Sequence, residues 1–523
     1  MRSGPFARKP LALLQQEAGE EHRLRRVLGP ASLTGLGVGG IIGTGIFVMI
    51  GMAAHDLAGP ALTLSFVVAA LACIAIALCY AEFAANVPVG GSAYSYAYAT
   101  LGELPAWILG WNLVTCYLLG AASVAQGWSH YFQSFLGACH VALPAALTGV
   151  PWDVNPATGK LAATGALFDL PAALIIALMT AIIVRGIRAS LKFNLTMLIV
   201  KLAVILFVIG VGAFYIHPQN WHPFAPFGFG GLSLFGKTWG QVAPGGQGLG
   251  MFAGAALVFY AYIGFDALSA YTEECQKPRR DVPIAILTSV GICAALYIAV
   301  AAVLTGMVRY DQINSHAPIS EAFRQVGLPW AQSLVAVGAL TGITSVLLVM
   351  LLSLPRILLA MGRDGVIPAR FFNAVHPRYQ TPWKGTLLAG GLIIPLTALL
   401  PLGVLFSLAL MAVLFGYAVI CASVLILRRV GTTREPAFRT PFGPLVPIFG
   451  VLTCLLLMAS LPAENWLRLA VWLALGLAVY FLYSRQHSVL ARRALDPTTI
   501  TPLTHAVVAS TASGATQESP LKE

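Results

Sequence analysis

The stretch "VGGIIGTGIFVMIG", Val38 to Gly51, decides the fold. It is apolar enough to cross a membrane, yet five of its residues are glycine, the ordinary residue least suited to a helix interior after proline. A spanning helix weakened at its middle needs a reason, and the rest of the chain supplies one.

Of the 523 residues, 58% are hydrophobic and 10% charged, where a soluble domain carries about a quarter charged. The chain therefore reads as an all-α integral membrane protein. Polar loops cut the apolar material into about twelve blocks, each near the ~20 residues that a helix needs to cross a hydrocarbon core of about 30 Å. The blocks lie near 31–55, 61–86, 105–136, 166–186, 191–216, 247–275, 283–307, 331–360, 385–402, 404–427, 445–462 and 466–484. Residues 1–30 read as a polar cytoplasmic tail with no cleavable leader, and they hold Arg2, Arg8, Lys9, Arg23, Arg25 and Arg26.

The net charge of +11 does not call for nucleic acid. With the N-terminus inside, the cytoplasmic loops collect most of the basic residues, among them Arg185, Lys277, Arg279, Arg280, Arg370, Lys384, Arg428 and Arg429. The other side holds only Lys160, Lys237, Arg309, Arg324 and Arg468. This is the positive-inside bias, and it expects both termini in the cytoplasm with no protein partner required. The eight cysteines form no C-x-x-C or Cys/His cluster, so no metal and no cofactor are expected. Residues 487–523 read as a disordered tail rich in Thr, Ser, Pro and Ala.

The sixth block, "GMFAGAALVFYAYIGFDALSAYTEEC" at 250–275, carries a second break at Gly264 and Asp266. Paired glycine breaks in the first helix of each half are the mark of transporters built from inverted repeats. The repeats would be 31–216 and 247–428, joined by an extracytoplasmic loop at 217–246 and followed by two further spans in 429–486. A helix satisfies its own backbone except at its ends, so backbone can bind a polar solute inside a bilayer only where a helix stops. Gly43, Thr44 and Gly45 would offer amides and the positive end of a dipole to a carboxylate. Carbonyls near Ile41, Tyr260 and Ile263 would suit an ammonium group. Together they describe the backbone of an α-amino acid. The competing reading of Gly39 and Gly43 is close packing through G-x-x-x-G, which leaves the second break unexplained.

"GGIIGTGIFVMIG" (39–51), "YAEFAANVPVGGSAYSYAYATLGE" (80–103), "FYAYIGFDALSAYTEECQKPRRDVPIAIL" (259–287) and "PRILLAMGRDGVIPARFF" (355–372) resemble the cationic amino acid transporter branch of the amino acid, polyamine and organocation superfamily. The resemblance runs from about Leu24 to about Arg429. It implies a LeuT-like 5+5 inverted repeat with helices 1 and 6 unwound around an amino acid, working by alternating access. By position in the motif it puts the carboxylate-binding segment on Gly43, Thr44 and Gly45, and the amine-binding carbonyls on Ile41, Tyr260 and Ile263. One departure stands out. Where relatives often carry Gly-Trp-Asp-Leu-x-x-Glu-Tyr, this chain has "GWNLVTCY" at 110–117, so Asn112 and Cys116 replace two acids. That favours neutral over cationic substrates.

Ionisable residues inside spans cost about 2.5–3.5 kcal/mol each and are functional candidates by default: Glu82, Lys201 and Asp266. Lys201 lies too far from the basic loop to snorkel without strain, at about 15 Å along the helix. In sodium-independent relatives, a lysine here places its ammonium where others hold sodium, between helix 1 and helix 8 hydroxyls, for which Thr344 and Ser345 are suited. Proton coupling and a purely structural cation are its two readings. Asp266 would cap the second half-helix or touch substrate. Glu82 would form an inner-gate or interfacial ion pair, or be a solvated acid. Glu273 and Glu274 would pair with cytoplasmic arginines. Cys116, Phe259, Tyr262 and Phe265 are the candidates for a side-chain pocket.

No phosphate-binding loop is present to suggest an enzyme. The expectation is a proton-coupled, sodium-independent amino acid permease in a bacterial inner membrane. An exchanger and a non-transporting sensor are the alternatives.

Overall fold

The computed structural model describes residues 6–9, 28–86, 92–154, 161–185, 187–234, 237–243, 248–315, 317–377, 379, 381–430, 438–461 and 463–490. Among these, eight helices are long and apolar enough to cross a membrane, and three shorter apolar ones accompany them. The last residue of the tail expected at 1–30, Pro30, already belongs to the first helix. Residues 87–91, where a surface turn was expected after Glu82, lie outside the described set, as do the side chains of Glu273 and Glu274.

The chain opens with α1 (Pro30–Ile41), whose first position is proline, where the missing N–H is no loss. A break follows, and helical turns resume over 45–58. Gly59, at φ 60°, and Pro60 turn the chain into α2 (Leu62–Asn86). Then come α3 (Ser92–Thr100), α4 (Glu103–Ala138), α5 (Leu170–Arg185) and α6 (Ile187–Gly212). The second half begins with α7 (Met251–Val258), a second break, and α8 (Pro278–Met307). It continues through α9 (Pro318–Gln325), α10 (Pro329–Arg363), α11 (Ala369–Phe372), α12 (Trp383–Leu399), α13 (Leu402–Val430), α14 (Leu445–Ala459) and α15 (Ala463–Val479). Proline again opens α8, α9 and α10.

The all-α expectation needs one correction. Three short antiparallel hairpins stand in the loops: Trp152–Val154 with Leu161–Ala163, Leu232–Leu234 with Lys237–Trp239, and Gln241–Val242 with Gly248–Leu249. Their extra-membrane backbone pairs with itself because it has no helix to join.

Between helices in lipid there is little hydrophobic drive, so contact relies on small residues that let backbones approach. A Cβ on Gly338 of α10 would stand 2.5 Å from Val204 of α6, and one on Gly390 of α12 would stand 2.3 Å from Thr180 of α5. Some buried aromatic hydroxyls and indoles find carbonyls: Tyr262 donates to Phe66 O at 3.1 Å, and Trp107 donates to Gly476 O at 2.8 Å.

The described residues nearest the two ends both dock at the turn after α10. Lys9, expected in a solvated tail, is 4% exposed, and its ammonium pairs with Asp364 just past α10. Val489 donates its amide to Asp364 O at 3.0 Å, and Ser488 donates to the Glu103 carboxylate at the start of α4. The tail expected from 487 therefore begins docked to the body.

Candidate substrate and coupling site

The two breaks touch. After Ile41 the backbone leaves the helix at Ile42 (φ −73°, ψ 103°). The second arm starts where Ile46 and Phe47 donate to Gly43 O at 3.2 and 3.1 Å, so the Gly43, Thr44 and Gly45 amides stand at its head. A Cβ on Gly45 would lie 2.2 Å from Ala261 Cα, backbone against backbone. In the other break, α7 tightens into a 3-10 turn over Phe259–Tyr262, then Ile263 is extended and Gly264 sits at φ 124°. A Cβ there would meet Gly40 O at 2.5 Å. Only glycine accommodates both the dihedral and the approach.

The carbonyls are partly engaged. Tyr260 O accepts Ile263 N–H at 3.1 Å. Ile41 O and Ala261 O each lie 3.0 Å from the hydroxyl of Tyr297 on α8, which bridges the two breaks. Each keeps a second lone pair. Among the described residues the buried Thr44 hydroxyl has no hydrogen-bond partner, and the side chain packs against Gly127 of α4, where a Cβ would come 2.6 Å from Thr44 Cγ2.

Lys201 on α6 is fully buried. Its ammonium donates to Gly39 O at 2.6 Å, Ile42 O at 2.9 Å and Ser345 Oγ at 3.4 Å. Ser345 in turn donates to Gly39 O at 3.0 Å. Three N–H groups therefore hold the end of α1 to α10. Thr344, the other expected hydroxyl, is elsewhere: it accepts from Trp128 Nε1 at 3.0 Å and donates to Leu340 O at 2.6 Å.

Asp266 does not cap the helical turns that follow it. Its carboxylate accepts the Gly264 amide ahead of it at 3.2 Å, Tyr117 OH at 3.0 Å and Tyr417 OH at 3.1 Å. It is a knot that fixes the break to α4 and α13. Glu82 lies in a separate cluster. Arg428 grips both its oxygens at 2.8 and 2.6 Å, and the Thr440 amide donates at 2.8 Å.

The side-chain candidates divide. Tyr260 contacts Ser123 Oγ through its hydroxyl at 2.6 Å and sets its ring edge-on to Phe406 at 4.7 Å. Phe259 and Phe265 both pack on Tyr417, at 6.3 and 5.3 Å. Tyr262 turns toward Phe66 and Tyr297, into the packing between α2 and α8. Cys116 is buried, and Asn112 folds its amide back to Ile108 O at 2.8 Å, leaving its own oxygen without a partner among the described residues. Among the described residues no cluster of three or more His, Cys, Asp or Glu could hold a metal.

Ala261, Ser123, Tyr117, Tyr297 and Tyr417 were missed in the sequence. A tyrosine in mid-span is the available signal, since a buried hydroxyl usually takes a partner.

Two touching helix breaks with a buried cation at the first define a membrane transporter. The family description "Amino acid permease" matches residues 28–480. The chain is 43% identical to the methylthioribose transporter of Bacillus subtilis and 42% identical to its branched-chain amino acid permease BcaP, each match covering 93% of this chain and 99% of the relative. It is 40% identical to human cationic amino acid transporter 4, over 80% of this chain and 62% of that protein. The chain belongs to the amino acid permease family, a multi-pass membrane group of transporters and not of enzymes.

Proposed function

We propose that the protein imports a neutral L-amino acid together with a proton, without sodium, by alternating access in a 5+5 inverted repeat of about twelve spans with both termini cytoplasmic. The amides of Gly43, Thr44 and Gly45 take the carboxylate. The free lone pairs of Ile41 O and Ala261 O, with Ile263 O, take the ammonium. Asn112 and Cys116, in place of two acids, favour an uncharged side chain, and the likeness to BcaP points the same way.

The observation that carries the coupling is Lys201. Its ammonium binds Gly39 O and Ile42 O, the terminal carbonyls of α1, and Ser345 on α10. A protonated lysine closes this joint as a sodium ion would. Loss of the proton removes a donor and the charge together, which frees α1 to move against α10.

A second reading rests on the methylthioribose transporter, the relative at 43% identity: an uncharged thioether-bearing sugar as substrate. It leaves the carboxylate cradle unused. Uptake into proteoliposomes in sodium-free buffer, with and without an inward proton gradient, tests both. Gradient-driven accumulation of neutral amino acids is expected. Uptake that needs an amino acid preloaded inside would replace symport by exchange, and accumulation of methylthioribose alone would replace the substrate.

A further inference from the structure

The end of α5 and the start of α12 form a basic junction on the side that the charge bias assigns to the cytoplasm. Thr381 donates to Val184 O at 3.1 Å, which pins the chain just before α12 to the last turn of α5. Arg185 is the neighbour of Val184, and Lys384 lies three residues after Thr381. The Lys384 ammonium lies over the rings of Trp383 and Phe371, at 5.6 and 5.8 Å. Arg370 and Phe371 on α11 are exposed beside it. Among the described residues no carboxylate pairs with Arg185, Arg370 or Lys384.

Below these cations both helices present apolar stripes outward. On α5 the exposed positions are Leu174, Ala177, Leu178, Ala181 and Arg185, the spacing of one helix face. On α12, Lys384 is followed on one face by Leu387 and Gly391, with Leu392 beside them. The helices touch through Gly390 and Thr180, and both rest on α4 and α10, so their outward faces look the same way.

We propose that this junction binds one anionic glycerophospholipid, its phosphate on Arg185 and Lys384 and its acyl chains along the Leu174–Leu178 and Leu387–Leu392 faces. The charge is complementary, because among the described residues no carboxylate pairs with these cations and a phosphodiester supplies the negative charge. The depth is right, because an indole and cations at the ends of apolar stripes mark the headgroup level. The aromatic rings hold the Lys384 ammonium at the junction and leave its outer side for a phosphate.

Native mass spectrometry of the full chain in neutral detergent, with dioleoyl phosphatidylglycerol against dioleoyl phosphatidylcholine, tests the site. The wild type is expected to retain the anionic lipid preferentially. The double variant Arg185→Gln/Lys384→Gln is expected to lose about thirtyfold in affinity for it, from two headgroup charges. The charge-conserving pair Arg185→Lys/Lys384→Arg should keep the preference. The pair Arg279→Gln/Arg280→Gln removes equal charge elsewhere and should change nothing. Equal loss in that control, equal retention of both lipids by the wild type, or displacement of the lipid by inorganic phosphate would each overturn the proposal. The last result would mean that the apolar faces add nothing.

Discussion

Lys201→Met separates a coupling residue from a structural one. Methionine keeps most of the stem and removes the ammonium with its bonds to Gly39 O, Ile42 O and Ser345 Oγ. Gly39 O retains Ser345 as donor at 3.0 Å, so Ile42 O alone is stranded. A buried acceptor left without its donor costs about 1–3 kcal/mol. Against this stands the relief of a buried charge, whose desolvation costs several kcal/mol that no acid among the described residues offsets. The two effects oppose, and the net change in stability is expected within about 2 kcal/mol of zero, a shift of roughly 2 °C or less in Tm for a chain of 523 residues. Transport should respond differently: the variant should lose gradient-driven accumulation altogether. The assay pairs a melting curve in detergent with proteoliposome uptake, with and without a proton gradient. Wild-type accumulation in a folded Lys201→Met protein would refute the coupling argument. Collapse of the fold would assign Lys201 to structure instead.

Tyr297→Phe keeps the ring against Phe66 and Tyr262 but removes the hydroxyl between Ile41 O and Ala261 O; with one proton shared, the loss should be about 1–3 kcal/mol in thermal stability, not twice that. An unchanged melting curve would show that the bridge is idle. Gly264→Ala forces a side chain into φ 124° and to 2.5 Å from Gly40 O; the dihedral alone costs about 1–3 kcal/mol, and the yield of monodisperse protein in size-exclusion chromatography should fall sharply. Cys116→Glu returns an acid to the face of α4 where relatives often carry one, and lysine should then compete for uptake where it does not in the wild type. Glu82→Gln weakens the bidentate pair with Arg428 by about 1–3 kcal/mol; Glu82→Gln/Arg428→Leu should recover part of the lost melting temperature.

Much of the candidate site's geometry was legible because it is made of backbone. Where a helix breaks is set by residues within a few positions, and Gly43, Gly45 and Gly264 announce it whatever packs around them. Lys201 was legible for a related reason, since an ammonium buried in a span must be answered by acceptors wherever they come from. Which acceptors was another matter. Thr344 and Ser345 are neighbours on α10, yet about 100° of helical rotation sends one to Trp128 and the other to Lys201.

By itself, the sequence determined that the chain crosses a membrane, where its helices are interrupted and that Glu82, Lys201 and Asp266 are buried, because composition and local backbone preference decide these things residue by residue. Only the tertiary structure decided the partners: Tyr297 bridging Ile41 and Ala261, Asp266 held by Tyr117 and Tyr417, and Lys9 closing on Asp364, 355 residues away. A hydroxyl or a carboxylate must be satisfied once buried, but many groups can satisfy it, and the choice falls to whichever helix packing brings within 3 Å.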